Sequence, residues 1–240
     1  MKKESRNKLI WVTLFAVAMG FLEAIVVVYL RKLFYPDGFN FPLKGFIEPA
    51  ILNIEWIREF ATVVMLLAIG FIAGRKAYEK MAYFIYAFAI WDIFYYVFLK
   101  LALDWPASLI TWDVLFLIPW PWAGQVIAPV ICSLIMIVMA IFVINFEDAG
   151  KKVRVSAGEW AFFIVGMILT LYTWLYDYGK LIIGGGFAKD FFTLANNPEF
   201  YFQITNYVPV YYNWPVFILG VIIAAIGVVL FYIRMRKRRK

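Results

Sequence analysis

Glu23, Arg58, Glu59 and Asp92 are ionisable residues embedded in long apolar runs, where a charge has few solvents to turn to. At hydrocarbon depth such a side chain costs on the order of 2.5–3.5 kcal/mol on insertion scales, so it requires a partner or a water-filled cavity. Counting about 1.5 Å per residue from the basic end of each run puts Glu23 about 21 Å from Leu9 and Asp92 about 17 Å from Met81. The next run travels the other way, and Arg58 and Glu59 lie about 22–24 Å back from Gly74. The four therefore share one layer, in the outer half of a bilayer.

Helical spacing puts Asp92, Tyr95 and Tyr96 on one side of their segment, with Lys100 a turn further out. The expected arrangement has Arg58 neutralising Glu23 or Asp92 while tyrosine hydroxyls serve the remaining oxygens. Either Lys100 or Arg31 then snorkels into the group, or one carboxyl keeps its proton. The candidate ligand or ion-binding set is Glu23, Arg58, Glu59, Asp92, Tyr95, Tyr96 and Lys100. Three roles fit this chemistry: fixing helix packing, binding or passing a cation, proton or polar ligand, and acid/base catalysis.

Composition removes many alternatives. The chain has no histidine, which takes away the usual ligand for haem, zinc or copper and the usual base near neutral pH. Its one cysteine, Cys132, stands among Val130, Ile131 and Leu134, so neither an internal disulfide nor an iron–sulfur set is available, and the thiol reads as buried and inert. Gly184-Gly185-Gly186 lacks the Lys and Ser/Thr of a phosphate loop and reads as a turn. No cofactor and no metal are expected. The net charge of +7 comes from basic residues at the ends of apolar runs, which argues against nucleic acid as a partner.

The elements that must hold the layer follow from hydropathy. With 65% hydrophobic residues and mean hydropathy +0.80, the chain reads as an all-α polytopic membrane helix bundle in one membrane domain, 1–240. Six spans are expected at about 9–30, 57–74, 81–99, 125–146, 157–176 and 215–233. The first resembles a signal peptide in its basic start, but its apolar run continues to full bilayer width, which favours a retained helix. Pro49 in a first-turn position extends the second helix backward onto the outer surface. Ser156-Ala157-Gly158-Glu159 is a capping box opening the fifth.

Small residues mark close-approach faces: Ala16, Gly20 and Ala24 on the first span, Gly70 and Gly74 on the second, Gly220, Ala224 and Gly227 on the last. Between spans three and four, Asp104-Trp105-Pro106 opens a short interfacial or re-entrant helix through Phe116, stopped by Pro119 and Pro121. This Trp-rich segment is either an aromatic belt or a lid over the polar layer, able to receive a lipid headgroup. No internal repeat supports a two-fold transporter.

Orientation comes from Lys and Arg. The N-terminus, the loop with Arg75, Lys76 and Lys80, the loop with Lys151, Lys152 and Arg154, and the basic tail belong to one side, expected to be cytoplasmic in an inner (plasma) membrane of prokaryotic type. The opposite loops are aromatic and lie against the membrane surface. Expected partners are the lipid bilayer, anionic lipid at the basic C-terminus, and a membrane-protein partner or second copy.

These residues favour a non-enzymatic protein whose outward polar layer binds or passes a small cation, proton or lipophilic ligand. A lipid-active enzyme would use Asp92 or Glu59 as acid/base, with the Trp-rich segment holding an acyl or isoprenoid chain. Neither a paired Asp motif nor an activated Ser or Cys supports it. An accessory subunit, packing its small-residue faces on partner helices, is the third reading.

Overall fold

A computed structural model describes residues 1–43, 49–188 and 197–238. Six helices are long and apolar enough to cross a membrane, and the chain is a multi-pass membrane helix bundle. They are α1 (Lys3–Phe34), α2 (Pro49–Ala73), α3 (Ala77–Leu103), α4 (Ile127–Asp148), α5 (Ala157–Gly184) and α7 (Trp214–Lys237). A short amphipathic helix, α6 (Pro198–Asn206), precedes α7. Arg239 and Lys240 of the basic tail lie outside the described residues.

Five of the six spanning helices are longer than the apolar stretch that announces them, because backbone hydrogen bonding continues into the interfacial turns after hydropathy has fallen; α4 keeps the expected length and begins two residues later, since Trp122–Gln125 is a strand. The extension of α1 to Phe34 brings Arg31 into the helix, and α5 continues to Gly184. Pro49 opens α2, as its missing amide donor favours. Ser156 and Glu159 form the capping box at α5, each side chain accepting from the other's backbone amide.

The small-residue faces are consumed inside the chain. A Cβ on Gly20 would lie 3.0 Å from the Trp91 carbonyl oxygen, so α1 and α3 touch backbone to backbone there. Gly166 of α5 meets Gly220 and Ala224 of α7 as closely, a Cβ on Gly166 falling 2.8 Å from the Gly220 carbonyl oxygen. Gly70 lets α2 approach Phe84 of α3. α3 thus stands between α1, α2 and α4, while α5 packs on α7.

The segment between α3 and α4 is not the expected short helix. α3 ends at Asp104, whose φ of 54° is the left-handed C-cap conformation, and the chain then forms an antiparallel hairpin of β1 (Trp112–Phe116) and β2 (Trp122–Gln125). Trp112, Val114 and Phe116 are aromatic or β-branched at alternate positions, a pattern that suits a pleated surface. Pro119 and Pro121, which have no amide to donate, fall in the connection instead of the ladder. One face of the hairpin rests on α5, with Trp122 stacked on Trp174 at 5.8 Å between ring centres.

Ionic contacts gather the basic loops and both described chain ends on one face. Arg75 pairs with Glu4 and Lys76 with Glu147. The Lys2 amide donates to Asp148 at 2.7 Å, and Arg234 pairs with Glu159 at 2.6 Å. The hairpin lies at the other end of the bundle.

Candidate functional site

Residues of α1, α2 and α3, the hairpin and α6 surround a cavity of about 230 Å³. Six of the seven candidate residues line it: Glu23, Arg58, Glu59, Asp92, Tyr95 and Tyr96. Lys100 does not join them. It pairs with Asp104 at 2.7 Å and donates to the carbonyls of Asp104 and Pro106, holding the end of α3 from the exterior. Its long flexible stem and the nearby free carbonyls of a helix terminus make that arrangement less costly than burial.

Between α1 and α2 the bridge is ionic. Arg58 pairs with Glu23 across the helices and with Glu55 one turn earlier on its own, at 2.8 Å. Thr62 Oγ1 adds a hydrogen bond to Glu23 at 3.2 Å. The guanidinium is thus spent on Glu23 and Glu55, and Asp92 has a different neighbour: Ser133 Oγ of α4 donates to it at 2.8 Å. Glu59 accepts from the Leu117 amide at 2.9 Å, which ties the hairpin connection down to α2. Neither Glu59 nor Asp92 has an ion-pair partner among the described residues.

A second charged pair closes the site from above. Asp113 of β1, 1% exposed, accepts from Arg31 Nη2 at 3.1 Å and from the Tyr96 hydroxyl at 3.3 Å. Arg31 also lies over the rings of Trp105 and Phe39, 3.7 and 4.1 Å from their centres, an arrangement in which the ring quadrupoles attract the cation. Burial pushes the Asp113 carboxyl up to about 6, against the pull of Arg31, the Val114 amide and Tyr96. Of the two basic residues offered by the sequence as a second cation for this layer, Arg31 is the one that enters.

Among the described residues, five carboxyls line the cavity, from Glu23, Glu55, Glu59, Asp92 and Asp113, against two guanidiniums, from Arg31 and Arg58. Apart from Thr205, the remaining wall is apolar or aromatic, with Val27, Leu30, Leu52, Phe116, Trp120 and Ile204 among its residues. Among the described residues no group of three Asp, Glu or Cys converges as a metal-ligand set. The lining offers carboxylates to positive charge and apolar surface to hydrocarbon.

Sequence reasoning placed Asp113 in the lid segment and missed it as a member of the polar layer. It also missed Glu55, Thr62 and Ser133. The i, i+3 spacing of Glu55 and Arg58 was a signal available for the first. Ser133, beside Cys132 in an otherwise apolar run, gave no sign of its acceptor 41 positions earlier. No family model, curated protein or solved structure matches the chain.

Proposed function

We propose that this multi-pass membrane protein is non-enzymatic and that its capped cavity binds or passes a cation with an apolar body. The observation that carries this reading is the surplus of carboxyls among the described lining residues, where Glu59 and Asp92 each have one neutral donor. A buried carboxylate served so sparsely is costly, and a bound proton or cation relieves that cost. A bare metal ion would require a converging oxygen cage. A lipophilic ammonium needs only nearby carboxylates and aromatic faces, which the cavity supplies together.

In this reading the basic face is cytoplasmic, the hairpin faces outward, and the membrane is the plasma (inner) membrane. Arg236, Lys237 and Arg238 meet anionic lipid at the inner surface. The small-residue faces on α1, α2 and α7 are occupied within the chain, which favours a binding protein over an accessory subunit that would need them for partner helices.

Chain-matched amphiphiles of opposite charge test the proposal. Protein in maltoside micelles is titrated with dodecylammonium and with dodecanoate, following binding calorimetrically. Saturable binding of the ammonium, about tenfold or more tighter than the carboxylate, is expected, and Asp92→Asn should weaken it by about tenfold, equivalent to about 1.4 kcal/mol. Equal binding of the two, or no saturable component, rejects the reading.

A further inference from the structure

The cavity's carboxyls set the sign of a ligand's charge, and the rings beside them bear on its chemistry. Of the 28 described residues lining the cavity, ten carry aromatic rings, so a cation inside it is seldom far from one. The two carboxyls without an ion-pair partner, Glu59 and Asp92, each have such a ring one helical turn away on the same face. On α2, Trp56 stands three residues before Glu59; on α3, Tyr95 stands three residues after Asp92. Side chains at that spacing are neighbours, with about 5–6 Å between their Cβ atoms. Trp56 and Tyr95 are both only half-buried, and α2 packs directly on α3.

A protonated amine and a quaternary ammonium fare differently in this lining. The amine carries three N–H donors that give up water on entry, and each one left without an acceptor is costly. The carboxyls are spread over α1, α2, α3 and β1, and no three acids converge among the described residues. Glu59 and Asp92 each already accept from a protein donor. A quaternary ammonium has no N–H to satisfy, and its charge, spread over methyl groups, suits a ring face with a carboxylate nearby. The chain handles its own weakly hydrated cation this way in the same lining, where Arg31 lies over Phe39 and pairs with Asp113.

Resting on the reading of the cavity as a site for a lipophilic cation, we infer that the head of that cation is a quaternary ammonium. Trp56 and Tyr95 supply the ring faces, Glu59 and Asp92 supply the opposing charge, and Val27, Leu30 and Leu52 receive the alkyl chain.

Dodecyltrimethylammonium, dodecylammonium and dodecanoate share a chain and differ at the head. Each is titrated calorimetrically into the protein in maltoside micelles, and titration into empty micelles is subtracted. The trimethyl head should bind about fivefold or more tighter than the primary amine, within the range of a cation–ring contact. Trp56→Leu and Tyr95→Leu each remove a ring and leave both acids in place. Either should lower the ratio of trimethylammonium to primary ammonium affinity by about threefold or more. Trp56 lies on α2, which packs mainly on α3 alone, so its variant decides the matter if Tyr95→Leu fails to fold.

Equal or tighter binding of the primary amine, with both cations ahead of dodecanoate, overturns this inference and leaves the cation reading in place. A ratio that neither variant alters does the same. If neither cation binds ahead of dodecanoate, both readings fall. Tetramethylammonium presents the head without a chain and should bind about tenfold or more weakly than the dodecyl form, since it buries none of the chain. Equal binding of the two would make the ligand a free onium ion and overturn its assignment as an amphiphile.

Discussion

Arg58 holds two carboxylates that have no other cation partner among the described residues, which makes it the residue whose loss is felt most. Removing one member of a buried charge group strands the others, at a cost of about 3–5 kcal/mol. Arg58→Gln should therefore destabilise the protein by roughly that amount, measured by unfolding from mixed micelles. Glu23→Gln leaves Arg58 with Glu55 and should cost clearly less; if the two variants are equally destabilised, Glu23 and not Arg58 is the keystone of the bridge.

Asp113 behaves differently, because its ionisation is opposed by burial. A folded value near 6 against an ordinary 3.8 means that the folded chain holds the proton more tightly than the unfolded one. The stability this contributes is complete below about pH 4 and is lost as pH rises through about 6. Melting curves from pH 4 to 7 should show the native protein losing ground to Asp113→Asn over that interval. If the native protein instead gains ground, Arg31 outweighs burial at this carboxyl.

Among the elements, the hairpin is the one whose role is made by a few polar contacts with the helices below. Glu59 holds the Leu117 amide, Arg31 and Tyr96 hold Asp113, and the opposite face rests on Trp174. A hydrogen bond to a charged group is worth about 1.5–3 kcal/mol, so Glu59→Leu should speed amide exchange in residues 112–125 by roughly tenfold to a hundredfold. Exchange in α5 should be unaltered, and unchanged exchange at Leu117 would show that the Trp122–Trp174 stack alone fixes the hairpin.

That element is also where the sequence was hardest to read. Hydropathy marks spans because hydrocarbon acts on each segment separately, and depth counting brought Glu23, Arg58 and Asp92 to one cavity from such local information. A two-stranded ladder is a nonlocal structure. Trp112–Phe116 carries no helix-breaking residue of its own, and only pairing with Trp122–Gln125 decides its conformation. Asp113 was lost with it, since a residue assigned to an interfacial helix gives no reason to seek Arg31, 82 positions away. Lys100 was misplaced for the complementary reason: counting residues fixes depth along a helix and says nothing about the carbonyls that a C-cap at Asp104 offers nearby.

At the scale of the molecule, two chemically different faces are joined by the bundle. One carries both described chain ends and the pairs Arg75–Glu4, Lys76–Glu147 and Arg234–Glu159; the other carries the hairpin, α6 and the cavity beneath them. A surplus of Lys and Arg resists translocation, so the first face should remain in the cytoplasm, and the hairpin and the cavity beneath it should lie toward the exterior. Cys132 is the sole cysteine, so Cys132→Ser provides a background in which new thiols report their side of the membrane without ambiguity. Single cysteines at exposed Gly38 and Tyr211 should react with a membrane-impermeant maleimide in intact cells. Those at exposed Lys76 and Gly150 should react only after the membrane is opened. The reverse pattern would turn the cavity toward the cytoplasm and change the pool of ligands it samples, while leaving its lining of carboxyls and aromatic rings as it is.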